Sequence, residues 1–328
     1  MKDGVFCTAK MVDDSMLSSV RMTKYIAKVL DLQIYGDVDV IEVDNNLIVV
    51  NGPNAWNHKA TNALMKAMIN ARRVVWVEND YAITKPRLIS KAKDDLGSAW
   101  WRRAEAGKPP AVFWSTIKSD AGQRKLHPSS YVNWNMLTMR YDIIPMDRKK
   151  AGRDLFYYGS YRPNRRAAFE RYLVNAEVPV TIAARSKAAV QFQALYDDVP
   201  SNVSIIDAIP EATLFEDISR HGLGLYIEDE RSHIEFHSPA NRFYEMLSAG
   251  LPMVFQPECV EMLRQADLDV ASYVIEDGGK AMTRAMRDRF DIAKEQKRRW
   301  RDTTRFDLEL RRQVKAAWKA LNKMEEGR

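Results

Sequence analysis

The sequence predicts an α/β protein built from two Rossmann-like domains that face a central cleft. Runs rich in Val, Ile and aromatic residues alternate with segments of helical periodicity along most of the 328 residues. The alternation restarts after residues 145–154, a polar segment without periodicity that we interpret as an interdomain linker. We therefore predict domains at residues 1–147 and 154–285, followed by a basic helical segment at residues 286–328. Ligands of such proteins bind at the carboxyl ends of the strands, in the cleft.

The first predicted domain alternates strands and helices in the order expected of a parallel sheet. Its predicted elements are a strand at residues 4–9, a helix at 16–30, extended segments at 38–52, a helix at 58–71, and strands at 73–80 and 109–117. The strand at residues 73–80 is apolar and ends in Asp80, which would place a carboxylate at the cleft.

The second predicted domain repeats this pattern. Its predicted elements are strands at residues 155–160, 178–184, 203–209 and 222–227, with helices at 165–176, 187–198 and 210–221, and a long helix from about residue 279. A further βαβ unit is completed by HSPANRFYEMLSAGLPMVF, residues 237–255. Here Ser238 is a suitable N-cap, Pro239 suits the first helical position, and Gly250 can end the helix in the left-handed conformation.

Arg242 is unexpected in this helix, because a cation in the first turn faces the positive end of the helix dipole. The placement costs several tenths of a kcal/mol unless an anion lies nearby. Pairing with Glu245, three residues on, or contact with solvent is one explanation. A bound anionic ligand is the other.

Several basic residues follow the strands of the second domain, which favours the ligand. Arginines around a helix N-terminus provide the bidentate donors and free N–H groups that bind a diphosphate. The candidate residues of this site are Gly159, Arg162, Arg165, Arg185, Asn241 and Arg242. Glu245, one turn into the helix, could accept both hydroxyls of a ribose, although a glutamate exposed on the helix surface is an equal alternative.

Composition excludes several classes of protein. No apolar run approaches the ~20 residues of a membrane span, and the polar first segment does not resemble a signal peptide. The two cysteines, Cys7 and Cys259, lack metal-ligand spacing, which favours a reduced cytoplasm. The histidines show no ligand spacing either, and a Walker A loop and a G-x-G-x-x-G motif are absent from the sequence. We expect no metal requirement.

The net charge of +6 is concentrated at the C-terminus. Residues 280–328 contain sixteen Lys or Arg and eight Asp or Glu, so the rest of the chain is slightly acidic. This pattern indicates either a solvated helix face or a surface that binds phosphate backbones. The loop at residues 98–108 interleaves aromatic and basic residues, which suits nucleic acid, although a mobile loop is an equal alternative. The candidate nucleic-acid contacts are Trp100, Trp101, Arg102, Arg103, Lys297, Arg298 and Arg299.

Residues 237–255 resemble the nucleotide-sugar motif of GT-B glycosyltransferases. In many of them a Glu, seven residues, Glu spacing precedes an A-x-G-x-P turn. Glu245 matches the second Glu, residues 249–252 match the turn, and His237 stands at the first Glu position. The segment YGSYRPNR resembles the G-R-L-x-x-x-K segment of the family, with Arg165 at the diphosphate-binding Lys and Arg162 as a substitute for the Arg. The resemblance implies a GT-B fold with a C-terminal helix that returns to the first domain. It also implies a UDP-sugar donor bound by these residues and His237, and a leaving group neutralised without a metal.

Residues 73–88, RVVWVENDYAITKPRL, resemble the strand of T-even phage DNA glucosyltransferases that ends in an acid and leads into a basic, proline-containing loop. The resemblance implies that Asp80 deprotonates an acceptor hydroxyl, whereas a loop-capping role is the alternative. The acceptor we favour is a hydroxymethylated pyrimidine in double-stranded DNA, modified in the host cytoplasm by a phage-encoded enzyme. A cell-envelope or lipid-linked glycan is a second possible acceptor. A nucleotide-regulated DNA-binding protein without turnover is the alternative outside the enzymes.

Overall fold

The computed structural model divides the chain into two compact units, which we describe separately. The first comprises Met1–Thr138 with Asp307–Arg328, and the second comprises Met139–Phe306. The structure describes residues 4–7, 27–28, 33–35, 47–51, 69–78, 102–103, 105–108, 111–115, 131–135, 142–228, 239–265 and 268–301. The predicted linker, residues 145–154, therefore falls inside the second unit rather than at its boundary.

The described part of the first unit contains a parallel sheet of six strands in the order β2-β1-β3-β4-β5-β6. The strands are β1 (Gly4–Cys7), β2 (Gln33–Tyr35), β3 (Leu47–Asn51), β4 (Arg73–Glu78), β5 (Ala111–Ser115) and β6 (Tyr131–Asn135). Strands β2 and β6 were not predicted. A three-residue strand is too short to show a periodicity, and the asparagines of β6 interrupt its apolar pattern.

The second unit contains a parallel sheet in the order β11-β10-β7-β8-β9. Its strands are β7 (Leu155–Tyr158), β8 (Val180–Ala183), β9 (Val203–Ile206), β10 (Leu223–Tyr226) and β11 (Met253–Phe255). The strand order reverses between β7 and β10, because the chain builds outward from β7 first to one side and then to the other. Open α/β sheets bind ligands at the carboxyl ends of the strands beside such a reversal.

Helices connect the strands of the second unit, as predicted, but their boundaries differ. They are α1 (Arg166–Phe169), α2 (Ser186–Gln193), α3 (Leu214–Ile218), α4 (Asn241–Ser248), α5 (Val260–Gln265) and α6 (Lys280–Trp300). The single helix predicted at residues 165–176 is composite: a 3₁₀ turn at Pro163–Arg165 precedes α1, and a π-helical stretch at Glu170–Val174 follows it. Pro163 fixes the first turn, and Tyr172 in the π stretch donates a hydrogen bond to the Ile275 carbonyl at 3.0 Å.

The beginning of α4 corrects a prediction. The helix starts at Asn241 and its N-cap is Ala240, so Pro239 precedes the helix instead of occupying its first position, and the cap predicted at Ser238 is wrong. Ala240 has no side-chain acceptor, but its own N–H donates to the Tyr226 hydroxyl at 2.9 Å. Strand β10 therefore fixes where α4 begins.

The end of α4 confirms its prediction. Gly250 has a φ of 73°, and the N–H groups of Gly250 and Leu251 bond to the carbonyls of Leu247 and Met246 at 3.0 Å, as in a Schellman motif. The beginning of the predicted linker packs here. Ile144, which directly precedes it, donates its N–H to the Ser248 carbonyl at 2.8 Å, and a Cβ added at Gly250 would lie 3.0 Å from the Met146 backbone nitrogen.

Helix α6 closes the edge of the second sheet. The Gln296 side-chain amide donates to the Met253 carbonyl at 2.7 Å and accepts from the Met253 N–H at 2.9 Å, which satisfies the free edge of β11. Four residues later, Trp300 is buried against Phe243, Phe255 and Tyr273. No helix among the residues described is long and apolar enough to cross a membrane.

Candidate nucleotide-binding site

Gly159, directly after β7, lies at the reversal of the second sheet and is approached closely by Arg242. Its φ of 144° favours glycine, and a Cβ added there would lie 3.2 Å from Arg242 Nη1. The absence of a side chain therefore lets the Arg242 guanidinium approach the backbone at the carboxyl end of β7.

Arg242 and Arg165 meet on a common partner, Glu228, which follows β10. Arg165 Nη2 lies 2.5 Å from Glu228 Oε2, and Arg242 Nη2 donates to Glu228 Oε1. The three side chains are almost inaccessible to solvent, with relative exposures of 5% for Arg165, 11% for Arg242 and 3% for Glu228. Elements that are distant in sequence thus bring two guanidinium groups to one carboxylate. We call these three residues the Arg–Glu–Arg cluster.

The surroundings of Arg242 fix its orientation further. Its Nη2 also donates to the Ile227 carbonyl at 2.5 Å, and the guanidinium lies over the rings of Tyr226 and Tyr157, at 5.3 and 5.8 Å from their centroids. Burial is the largest single influence and would lower the pKa of Arg242, but the electrostatic interactions with Glu228 and the surrounding tyrosines together outweigh it and raise the pKa above its ordinary value. Arg242 is therefore a permanent cation, held in one orientation.

The partner of Arg242 was not predicted from the sequence. The explanations considered were Glu245, solvent and a bound anion, and the structure instead pairs Arg242 with Glu228, an internal carboxylate. The sequence does place Glu228 directly after the predicted strand at residues 222–227, and this position could have indicated a carboxylate at the carboxyl edge of the sheet.

Glu245 is completely buried, so the alternative of a surface glutamate is wrong. The Tyr158 hydroxyl donates to Glu245 Oε2, and Tyr158 is the last residue of β7. Both residues therefore lie near Gly159, at the carboxyl end of the same strand.

Three other predicted donor-site residues lie at the beginnings of helical segments in the second unit. Arg162 is exposed and is the N-cap of the 3₁₀ turn that carries Arg165, and Arg185 is exposed and is the N-cap of α2, after β8. Asn241 is half-buried and is the first residue of α4. His237 and Asp80 lie outside the described residues.

The predicted nucleic-acid contacts divide into several groups. Arg103 is 1% exposed, and its Nη1 and Nη2 donate to the carbonyls of Ala71 and Arg72 at 2.7 and 3.2 Å. Arg103 therefore binds the backbone that leads into β4. A direct contact with nucleic acid does not fit its burial. The same burial lowers the pKa of Arg103 to about 10. Lys108 supports the same segment by donating to the Asn70 carbonyl.

The remaining candidates include exposed cations. Arg102 and Arg298 are exposed, whereas Lys297 is half-buried. Arg299 donates to Asp269 Oδ2 at 3.0 Å, so part of its charge is compensated on the surface. Trp100 and Trp101 lie outside the described part of the chain.

A metal site and a reactive thiol each place requirements on the described residues. Within the described ranges, no group of three or more His, Cys, Asp and Glu side chains is arranged to hold a metal ion. Cys259 is a free, buried thiol in a 3₁₀ turn, and burial raises its pKa well above the ordinary value.

Comparison with known proteins gives structural matches only. No family model and no curated protein sequence matches the chain. A crystal structure of T4 phage BGT in complex with its UDP-glucose substrate superposes with a TM-score of 0.63 and 14% identity, covering 98% of this chain and 99% of that one. T4 phage BGT with UDP and Mn²⁺ gives a TM-score of 0.60 at 15% identity, covering 97% and 99%. An alpha-glucosyltransferase in complex with UDP and a 13-mer DNA containing a HMU base gives 0.59 at 13% identity, covering 91% and 94%.

The chain shares the fold of these glucosyltransferases. The predicted GT-B fold is therefore confirmed over nearly the whole length of the chain. Its two parallel sheets and the reversal beside β7 agree with that fold. Within the GT-B fold, the Arg–Glu–Arg cluster lies at the carboxyl edge of the second sheet, where such sheets bind nucleotides.

Proposed function

We propose that the protein is a glycosyltransferase that moves a sugar from a UDP-sugar to the hydroxyl group of a hydroxymethylated pyrimidine in DNA. The observation that carries this proposal is the pair of buried guanidinium groups, Arg165 and Arg242, which share Glu228 at the carboxyl edge of a GT-B sheet, with Arg242 beside Gly159. The similar structures support the proposal, because their names describe complexes with UDP-glucose, and with UDP and DNA that contains a HMU base.

Transfer of the sugar from its donor requires positive charge that stabilises the UDP leaving group. We assign the diphosphate to Arg162, Arg165, Arg185 and Arg242, with Asn241 and the first turn of α4 adding backbone N–H donors and the helix dipole. Hydrogen-bond donors that are already held in position and shielded from water stabilise developing negative charge without reorganisation. Glu245 is assigned to the ribose hydroxyls, with His237 as a further donor contact.

The acceptor half needs a base. We assign this role to Asp80, which would take the proton from the acceptor hydroxyl while that oxygen forms a bond to the anomeric carbon. The bond from the anomeric carbon to the UDP oxygen breaks, and its electron pair leaves with UDP. A base in double-stranded DNA must leave the stack to reach such a site, at a cost of a few kcal/mol.

Contacts with the DNA backbone would offset this cost. Exposed Arg102 and Arg298, with Lys297 and Arg299, are the described candidates, and Trp100 and Trp101 are candidates for stacking. A cytoplasmic setting, in the host if the protein is phage-encoded, belongs to this proposal.

We propose that the guanidinium groups make a metal unnecessary for leaving-group stabilisation. One similar structure contains Mn²⁺ with UDP, so metal dependence needs a direct measurement. The rate of UDP release should be unchanged by EDTA and by added Mn²⁺. A loss of activity in EDTA that Mn²⁺ restores would contradict metal independence while leaving the reaction itself in place.

UDP release tests the proposed function. The protein is incubated with UDP-glucose or related donors, with unmodified DNA or with DNA containing 5-hydroxymethylcytosine or 5-hydroxymethyluracil. We expect release only with hydroxymethylated DNA, and loss of release in Glu245→Ala. Slow release that is indifferent to DNA would indicate another acceptor, such as a glycan, and the absence of release with every donor would contradict the enzyme proposal.

Asp80→Asn separates an enzyme from a DNA-binding protein without turnover. The substitution removes the base but nearly preserves the shape of the side chain, so DNA binding should persist while UDP release falls by roughly 10²- to 10⁴-fold. DNA binding that depends on UDP, with no turnover in the unaltered protein, would favour the regulatory alternative.

A further inference from the structure

Glu228 is the residue of the donor site whose purpose the proposed function leaves unexplained. It is 3% exposed, and each of its carboxylate oxygens contacts a different arginine, Oε2 with Arg165 and Oε1 with Arg242. A carboxylate next to a binding site for a diphosphate repels the ligand. A carboxylate at this position therefore needs a role that compensates for the repulsion of the diphosphate.

The geometry of Arg242 indicates that role. Its hydrogen bonds to Ile227 and Glu228 both use Nη2, whereas Nη1 lies beside Gly159, 3.2 Å from the position that a Cβ would take. One end of the guanidinium is thus anchored on the β10 side. The other end is directed at the backbone that follows β7.

Glu228 is itself held by the neighbouring strand. Gln256, directly after β11, donates from Nε2 to the Glu228 backbone carbonyl at 2.5 Å, and Gln256 is 3% exposed. The ends of β10 and β11 therefore set the backbone position of Glu228. Through Glu228, they also set the positions of both guanidinium groups.

We propose that Glu228 is a positioning residue of the donor site, which anchors Arg165 and Arg242 so that Arg242 Nη1 and the Gly159 backbone together bind a phosphate group of the donor. The proposal rests on the proposed function and deepens its donor site. The Arg–Glu–Arg cluster keeps a net charge of +1, which still attracts a diphosphate. Proton transfer is a poor alternative role, because both carboxylate oxygens are already engaged by cations.

Glu228→Gln tests the proposal, because an amide of nearly the same shape can accept from one arginine but presents an N–H₂ group to the other. The dissociation constants of UDP and of uridine are measured by titration with the full-length protein. We expect the UDP constant to rise roughly 10- to 100-fold, the usual effect of losing a partner that orients a ligating group, while the uridine constant changes by less than about twofold. Glu258→Gln is the matched control, since Glu258 is 52% exposed and pairs weakly with Arg171 at 3.4 Å; it should leave both constants unchanged.

Three outcomes would overturn the inference. An equal loss of UDP and uridine binding would indicate general damage to the site, unchanged UDP binding would show that Glu228 positions nothing, and tighter UDP binding would show that its charge merely opposes the ligand. If the unaltered protein binds neither compound, the proposed donor site itself fails. That result is distinct from a Glu228→Gln result obtained on a protein that binds UDP.

Gly159→Ala provides a second test that leaves Glu228 intact and covers the case in which Glu228→Gln does not fold. The added Cβ occupies the space between the backbone and Arg242 Nη1. UDP binding should weaken at least about tenfold with uridine binding retained, because only the phosphate position is blocked. Full retention of UDP binding by Gly159→Ala would place the phosphate elsewhere and overturn the inference.

Discussion

Arg242 shows how a residue that is unfavourable for its own helix can be explained by a contact distant in sequence. As the second residue of α4 it faces the positive end of the helix dipole, at a cost of about 0.3 to 1 kcal/mol. Glu228 offsets this cost, and the rings of Tyr157 and Tyr226 shield the guanidinium from water. Helix periodicity alone cannot identify such a partner, because β10 brings it from outside the helix.

Gly250 leads to a prediction at the same scale. A Cβ there would lie 2.2 Å from the Ile144 carbonyl oxygen, and that oxygen belongs to backbone fixed by the Ile144 bond to Ser248. Gly250→Ala should therefore lower the free energy of unfolding by about 3 kcal/mol or more, with strain from the left-handed conformation adding to the clash. Thermal unfolding measures the change.

Gly107→Ala is the control for this substitution. Gly107 has a φ of 63°, but a Cβ there meets nothing within 4 Å. It should cost only the conformational strain, about 1 to 2 kcal/mol. Equal losses for the two variants would show that the contact with the segment around Ile144 contributes nothing.

At the scale of elements, Asp154 joins the beginnings of β7 and β10. Its Oδ2 lies 2.7 Å from His221 Nδ1, and its Oδ1 accepts from the Gly222 N–H at 3.2 Å. Burial is the largest single influence and raises the pKa of Asp154, but the hydrogen bonds from His221 and Thr181, the electrostatic interaction with His221 and a backbone hydrogen bond together lower it overall. His221 stacks on Phe156 with ring centroids 3.9 Å apart, which holds it in place.

Asp154→Asn should therefore destabilise the protein by about 1 to 3 kcal/mol at pH 7. Because the pKa in the folded state is lowered, the contribution of Asp154 is complete above the unfolded-state value of 3.8 and is lost as the pH falls through the lower folded-state value. The difference between the two proteins in thermal midpoint should shrink below about pH 4. A difference that stays constant from pH 7 down to pH 3 would show that the charge of Asp154 is irrelevant.

Elements with strong periodicity could be predicted from the sequence, whereas contacts between elements could not. The strands around Leu155, Val180 and Leu223 and the glycine end of α4 were predicted, since buried runs and glycine signals are local properties. The start of α4 was predicted two residues early, because the Tyr226 hydroxyl acts on it from another strand. Glu228 and the burial of Arg103 were missed for the same reason: each depends on partners from other elements.

At the scale of the whole molecule, the net positive charge lies in residues 280–328, because the rest of the chain is slightly acidic. Helix α6 ends with Lys297, Arg298 and Arg299 in its last turn, where cations also suit the helix dipole. If this end of α6 contacts the DNA backbone, its cations release counterions from the DNA when they bind. The affinity for DNA should then depend steeply on salt.

Arg298→Gln tests this contact because Arg298 is exposed. The slope of the logarithm of the association constant against the logarithm of the salt concentration should become less steep by about 0.9, the value for one lost phosphate contact. Arg287→Gln is the control, since Arg287 is 73% exposed on the same helix but lies about 16 Å away along its axis. The same change of slope in both variants would indicate a general effect of net charge instead of a contact at the end of α6.

The mass of the DNA product tests the central claim most directly. An oligonucleotide duplex with one 5-hydroxymethylated pyrimidine is incubated with the protein and UDP-glucose, and its intact mass is measured beside an unmodified duplex of the same sequence. The account predicts that the hydroxymethylated strand gains the mass of one sugar residue, that the unmodified duplex gains nothing, and that Glu245→Ala abolishes the gain. An unchanged mass for both duplexes, in a protein that releases UDP from the donor, would contradict the assignment of DNA as the acceptor.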